Sequence, residues 1–286
     1  MTKQTRHFLD LSDIPADTLK GILKRAHALK ADKFNPPQIF SGLSLAMVFD
    51  KLSTRTRFSF DIAMKQLGGH TVTATMAEMQ IGGKESAEST AKVLSRYVDG
   101  IMIRTSDTQT LKDLASNASI PVINGMTDDS HPCQIMADIM TIEEKLGTAE
   151  GKKIVWYGDT NNVSRTFEQA DPIWNFEFVM CGPDYDIAPL DAAAGADVIV
   201  TDTWISMGQE GKNTDHFKPY QVTKDIMSAA NDSAIFMHCL PIAEWHEVTE
   251  DVANSPASVI YDEAENRLHA QKAILEWCLE HAGVRV

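Results

Sequence analysis

The chain has 286 residues, 43% of them hydrophobic and 23% charged, with a formal net charge of −14. That length holds two ordinary domains, and the composition is that of a globular chain with a sizeable core. The acidic balance excludes non-specific attraction to nucleic acid or to an anionic membrane surface, each of which needs a basic face. Four cysteines, Cys133, Cys181, Cys239 and Cys278, are scattered without CxxC or CxH spacing, so neither a zinc site nor a disulfide framework is indicated. A reducing cytoplasm fits, because no apolar leader is evident and no stretch reaches membrane-spanning length.

In chain order, a helical pattern over Pro15 to Ala31 precedes a short apolar strand, Leu43 to Phe49, and a second helix from Arg57 to Leu67. Between that strand and that helix stands Ser53-Thr54-Arg55-Thr56-Arg57. Helix-start amides lack intrahelical partners, and two hydroxyls and two guanidinium groups beside them make a cradle suited to a phosphate. The plain alternative is a Ser/Thr cap followed by solvent-facing arginines. Two arginines in a first helical turn oppose the helix dipole at a cost of roughly 0.3 to 1 kcal/mol each, which favours the anion site.

A strand at His70 to Ala74, a helix at Glu85 to Tyr97 and a strand at Gly100 to Ile103 follow, with Arg104 directly after the last. A long helix over Pro132 to Leu146 carries proline at its first position and leaves His131 at its mouth, where a neutral ring donating one hydrogen bond is expected. A domain boundary falls near residue 147, giving domains 1–147 and 148–286. The second series has strands at Lys153 to Tyr157, Phe176 to Cys181, Asp197 to Thr201, Ala234 to His238 and Ser258 to Tyr261. Pro172 is expected to interrupt the helix after Asn162. A closing helix over Ala270 to Ala282 is long enough to brace the first domain. This alternation predicts an α/β protein of two doubly wound parallel sheets, with ligand loops at the strand carboxyl ends.

Three further polar clusters sit at such ends: Gly158-Asp159-Thr160-Asn161-Asn162, Asp202 to Gly208, and His238-Cys239-Leu240-Pro241. Taken singly, each reads as an ordinary turn or as packing. Their shared edge favours a binding crevice. No G-x-G-x-x-G follows the strand at Lys153 to Tyr157, and there is no GxSxG elbow or HExxH, which disfavours dinucleotide, serine-hydrolase and zinc-protease readings. Arg267, in Glu265-Asn266-Arg267, completes the polar set.

As a set these motifs resemble the aspartate/ornithine carbamoyltransferase family nearly end to end. Ser53-Thr54-Arg55-Thr56-Arg57 is similar to its carbamoyl-phosphate loop, His131-Pro132-Cys133-Gln134 to its H-P-x-Q motif, and Arg104 to the arginine preceding it. Asp202 with Ser206-Met207-Gly208, and His238-Cys239-Leu240-Pro241, look like the ornithine-type signatures. The resemblance implies a two-domain fold with an interdomain active-site cleft and a last helix, about 270–286, packed on the first domain. It implies carbamoyl transfer from carbamoyl phosphate to L-ornithine, giving L-citrulline and phosphate as in arginine biosynthesis, with no metal or organic cofactor. It implies carbamoyl-phosphate contacts from Ser53, Thr54, Arg55, Thr56, Arg104, His131, Gln134, Cys239, Leu240 and Arg267, with Gln80 supplied by a neighbouring subunit of a homotrimer. Ornithine contacts would come from Asn162, Asp202, Ser206 and Met207, and Arg104, His131, Asp202 and Cys239 would serve catalysis. The chain departs from the family pattern around 183–196, where relatives carry another helix and strand. That departure bears on the amine side, and the alternatives are transfer to putrescine or an acylated ornithine, or a non-catalytic paralogue that binds carbamoyl phosphate.

Overall fold

Strand β1, Ser44–Phe49, is buried from Leu45 to Phe49, as five successive apolar side chains require of a strand covered on both faces. The computed structural model describes residues 5–51, 53–81, 83–204, 213–242 and 245–280. In it the chain forms two units, Met1–Ala137 with Arg267–Val286, and Asp138–Asn266.

In the first unit, helix α1 (Ala16–Ala31) buries Leu19, Ile22, Leu23, Ala26 and Leu29 on one face, the spacing of an amphipathic helix. After β1 come α2 (Arg55–Gln66), β2 (His70–Thr75), α3 (Met76–Met79), α4 (Ala87–Leu94), β3 (Gly100–Arg104), α5 (Thr108–Asn117), β4 (Val122–Met126) and α6 (Pro132–Leu146). All four strands are parallel in the order β2-β1-β3-β4, with Leu45 opposite both Thr71 and Gly100 and Ile101 opposite Val122. Their carboxyl ends therefore share one edge, where Ser53, Arg104 and His131 all emerge. The outer side of β4 is closed by Phe8, whose N–H donates to Val122 O at 2.9 Å and whose carbonyl accepts from Asn124 N at 2.8 Å.

The second unit repeats the plan. Strands β5 (Lys153–Tyr157), β6 (Glu177–Cys181), β7 (Val198–Thr201) and β8 (Ile235–His238) alternate with α7 (Asn162–Trp174), α8 (Pro189–Ala193) and α9 (Lys224–Ala229), and α10 (Glu250–Ala253) follows. Helix α11 (Ile260–Leu279) starts in this unit and from Arg267 onward belongs to the first. The sheet is parallel in the order β6-β5-β7-β8, with Val155 opposite Val179 and Ile199. Its core includes Val155, Tyr157, Ile199, Phe236 and Val248. Where β5 and β6 end, Gly158 N donates to Cys181 O at 3.0 Å, and a Cβ on Gly182 would lie 2.0 Å from Gly158 O. Only glycine allows that approach, which sets the start of the Asp159 to Asn162 turn.

Several expectations need correction. The segment Ser258 to Tyr261 is not a strand: Ser258 makes one bridge to Phe236, and α11 begins at Ile260. That helix therefore starts ten residues before Ala270. Asp262 and Glu263 in its first turn suit the positive end of the helix dipole and override the β-forming look of Val259, Ile260 and Tyr261. Pro172 does not break α7, because it lies two residues before the last, Trp174, and the helix closes on Asn175 at φ 57°. Strand β4 went unread, since Asn124-Gly125 reads as a turn.

Candidate active site

In the first unit two arginines converge on one hydroxyl of the Ser53 to Arg57 run. Thr54 holds the cap position of α2 without using its side chain as a cap, and Arg55 is the first helical residue. Thr56 is buried, and its Oγ1 accepts from Arg104 Nη1 at 3.1 Å and from Arg267 Nη2 at 3.4 Å. Arg267 Nη1 also donates to Gln134 Oε1 at 2.5 Å, in the first turn of α6. His131, directly before α6, is buried beside the same cations. Its pKa is held well below the ordinary 6.5 by burial first, then by Arg267, Arg104 and Arg55. The ring is therefore neutral at physiological pH and carries one N–H. Guanidinium groups, a neutral imidazole and an amide around the start of a helix form a donor-rich surface for a phosphorylated, carbonyl-bearing ligand.

Other residues of the expected set are placed differently. Ser53 is half-buried and Thr54 exposed, at the mouth of α2. Gln80 is exposed at the C-cap of α3 with φ 57°, and no hydrogen bond among the described residues joins its side chain to Thr56, Arg104 or Arg267. Cys133, inside the H-P-x-Q motif, is buried with its thiol pushed up to about 12 by burial, and it donates to Asn124 O at 3.3 Å.

In the second unit three groups converge on Asp202, which follows β7. Asn161 Nδ2 donates to Asp202 Oδ2 at 3.1 Å, while Oδ1 accepts from Thr203 N at 2.8 Å and from Cys239 Sγ at 2.9 Å. Burial, and after it the Asp202 carboxylate, hold the Cys239 thiol well above its ordinary value, so the sulfur keeps its proton and directs it at Asp202. Asn162 opens α7, and its carbonyl accepts from Thr166 Oγ1 at 2.6 Å. Ser206 and Met207 lie outside the described residues.

The Cys239 turn is pinned from behind. His238 Nδ1 accepts from Leu240 N at 2.8 Å, so the ring proton sits on Nε2 and points at Glu247 Oε1, 3.0 Å away. The N–H of His238 donates to Glu263 Oε2 at 2.8 Å. Leu240 has φ 59°, and the Leu240-Pro241 peptide is cis. Asp202, His238 and Cys239 bring one potential metal-ligand atom each within 4.8 Å of one another. Both His238 nitrogens are already engaged and the thiol is protonated, so the trio fits a hydrogen-bonded network better than a cation cage. Glu247 and Glu263 were missed in the sequence, and Asn161 was included in the Gly158 to Asn162 cluster without a role of its own. For Asn161 the available signal was an Asn followed three residues later by Ser at a helix start; Glu247 and Glu263 gave none.

The comparisons with known proteins agree across the chain. Residues 6–144 match the family model described as aspartate/ornithine carbamoyltransferase, carbamoyl-P binding domain, and residues 185–278 match the Asp/Orn binding domain. The ornithine carbamoyltransferase of Brucella abortus (strain 2308) is 49% identical over 305 aligned residues, covering 98% of this chain and 97% of that protein. That of Rhodopseudomonas palustris is 48% identical and covers 96% of each chain. The solved ornithine carbamoyltransferase of Pyrococcus furiosus superposes with a TM-score of 0.88 at 40% identity, over 100% of both chains. The 305 aligned positions exceed the 286 residues present, so gaps open in this chain against the Brucella protein.

Proposed function

The chain belongs to the aspartate/ornithine carbamoyltransferase family, and from that premise we propose that it carbamoylates the side-chain amine of L-ornithine, giving L-citrulline and phosphate. Residues 1–147, joined by Cys239, Leu240 and Arg267, hold carbamoyl phosphate, and the rest of 148–286 holds the amine. The observation that carries this reading is the pair of polar clusters: one of cationic donors on Thr56, the other centred on the Asp202 carboxylate with the Cys239 thiol.

The chemistry follows from the groups. Ser53, Thr54, Arg55, Thr56 and Arg267 neutralise a phosphate that leaves with added charge, and Gln80 of a neighbouring subunit joins them. The amine nitrogen bonds to the carbamoyl carbon, the bond from that carbon to the phosphate oxygen breaks, and the nitrogen gives up a proton as the phosphate departs. Arg104, His131 and Gln134 donate to the carbonyl oxygen as the carbon turns tetrahedral, each such donor being worth about 2.7 to 4 kcal/mol. Leu240 contributes from the turn after β8. An amine with a lysine-like pKa of about 10.4 is neutral in only about one molecule in 2,500 at pH 7, an uphill step of about 4.6 kcal/mol. Asp202 and Cys239 flank that nitrogen, while Asn162, Ser206 and Met207 hold the rest of the amino acid. Positioning both substrates supplies roughly 7 to 11 kcal/mol, so no covalent intermediate is needed.

A homotrimer is the assembly this reading calls for, because Gln80 is exposed and no hydrogen bond among the described residues joins it to the cluster it would serve. Support comes from exposed apolar side chains, Val72 at 59% on the edge strand β2 and Phe58 at 63% on α2. The cytoplasm is the proposed location, supported by four free cysteines and by the absence, among the described residues, of a helix long and apolar enough to cross a membrane.

Purified protein incubated with carbamoyl phosphate and a panel of ornithine, putrescine and an N-acylated ornithine, assayed for ureido product, tests the reading. Product with ornithine, from a species whose mass in light scattering is that of a trimer, is expected. Product with putrescine or the acylated amine alone would reassign the substrate, and no product with any amine would overturn the activity.

A further inference from the structure

Asn161 has no role in the scheme above, yet every polar atom of its side chain is committed. Its Oδ1 accepts from Val163 N at 2.9 Å and Ser164 N at 3.0 Å, capping α7, and its backbone N–H donates to Ser164 Oγ at 2.9 Å. The two backbone donors identify the oxygen of the amide, so the atom facing the other way is Nδ2. That nitrogen lies 3.1 Å from Asp202 Oδ2. On the opposite side of the carboxylate, Oδ1 is taken by Thr203 N and Cys239 Sγ. The Asp202 plane is thus fixed by a donor on each oxygen, and Oδ2 keeps further acceptor capacity for an incoming N–H. Of the three donors, one comes from the next residue in the chain and one from a turn. Only Asn161 ties the carboxylate to the first turn of a helix thirteen residues long, α7.

We propose that Asn161 is a positioning residue for carbamoyl transfer: it uses the cap of α7 as an anchor and its amide nitrogen to aim the Asp202 carboxylate at the reacting amine. This rests on the reading that Asp202 meets that amine. A cap with no functional duty would need only an acceptor, which Ser or Asp supplies as well as Asn. The amide donor is what those residues lack. Asn161→Ser keeps an acceptor for the helix and removes the amide nitrogen that faces Asp202. Asn161→Asp keeps the cap, favoured further by the helix dipole, and sets a second carboxylate oxygen against Asp202 Oδ2.

The test combines steady-state kinetics in both substrates with thermal melting for Asn161→Ser, Asn161→Asp, Asp202→Asn and the double variant Asn161→Ser/Asp202→Asn. The expected result is a fall in kcat/KM for ornithine of about 10- to 100-fold for the serine variant, the range for losing a hydrogen bond to a charged group, and a larger fall for the aspartate variant. KM for carbamoyl phosphate and the melting temperature stay at the parent values. Adding Asn161→Ser to Asp202→Asn costs little more than Asp202→Asn alone, because the two act as a unit. If Asp202→Asn is crippled while both Asn161 variants turn over ornithine like the parent, the positioning role is wrong. It is equally wrong if the losses in the double variant multiply, or if melting temperature and both Michaelis constants worsen together, as a damaged cap would cause. An Asp202→Asn variant with parental ornithine kinetics would remove the premise and the proposal with it.

Discussion

In the first unit two guanidinium groups converge on one hydroxyl, whereas in the second an amide, a thiol and a backbone N–H converge on one carboxylate. The first arrangement gathers positive charge, and its members come from α2, β3, α6 and α11, far apart in sequence. The second gathers donors on a single acceptor and draws on the loops after β5, β7 and β8. The difference matches the two halves of a carbamoyl transfer. A leaving phosphate is held by cations whose number matters more than their exact aim, while a neutral amine must be held in line by an acceptor whose aim matters most.

The largest expected effect separates chemistry from binding within the cationic cluster. Arg104 both holds Thr56 and is proposed to face the carbamoyl oxygen, so Arg104→Ala should lower kcat about 100- to 1,000-fold, the loss expected for one oxyanion donor. Rapid-quench measurement of the chemical step, with circular dichroism to verify the fold, checks it. A change confined to KM for carbamoyl phosphate would mean that Arg104 only binds, and the division of labour would have to be redrawn.

A smaller effect is expected at Arg55, the first residue of α2. Arg55→Ala should raise KM for carbamoyl phosphate about 10- to 100-fold, as for loss of a charge-assisted hydrogen bond, and leave KM for ornithine unchanged. Isothermal titration with carbamoyl phosphate alone gives the same answer without turnover. An unchanged constant would count against the cradle; a matching rise in the ornithine constant would blur the contrast between the two clusters.

Legibility in the sequence follows the same contrast. Strand β5 and helix α6 fall on the residues expected of them, since an unbroken apolar run and a proline-opened amphipathic pattern leave little competition. The residues of the first cluster were also readable, because Arg55, Arg104, His131 and Gln134 stand beside such elements. Strand β4 was hidden by a preference that is tertiary: a Cβ on Gly125 would lie 3.0 Å from the backbone oxygen of Ile103 and 2.6 Å from Met102 Sδ, so close packing against β3 favours the residue that locally signals a turn. Asn124 is likewise buried inside that strand, donating to Leu9 O at 2.9 Å and Ser130 Oγ at 3.2 Å, contacts that no local pattern announces. On the amine side, the sequence places Asn161 in a cluster that favours a binding crevice without singling it out from Asn162, and it gives no sign of Glu247. Each acts through a partner brought close by the sheet, Asp202 for one and His238 for the other.

The smallest effect tests whether burial, with the positive charge of the first cluster behind it, keeps His131 neutral. The folded protein holds this ring's pKa well below 6.5, through burial and then Arg267, Arg104 and Arg55. Between that lowered value and 6.5 the unfolded chain binds a proton that the folded chain refuses. Stability must therefore fall as pH falls below about 6.5, with a slope of up to about 1.4 kcal/mol per pH unit from this one group. His7, also depressed by burial, adds a slope of the same sign, so the contribution is read as a difference between the parent and His131→Asn. Urea unfolding at pH 7 and pH 5 should show the parent losing about 1 to 2 kcal/mol more than the variant. Equal losses would mean that the ring takes its proton as readily in the folded protein as in the unfolded chain. His131 would then be a cation at acid pH, and the first cluster would no longer be one that expels added positive charge until an anion arrives.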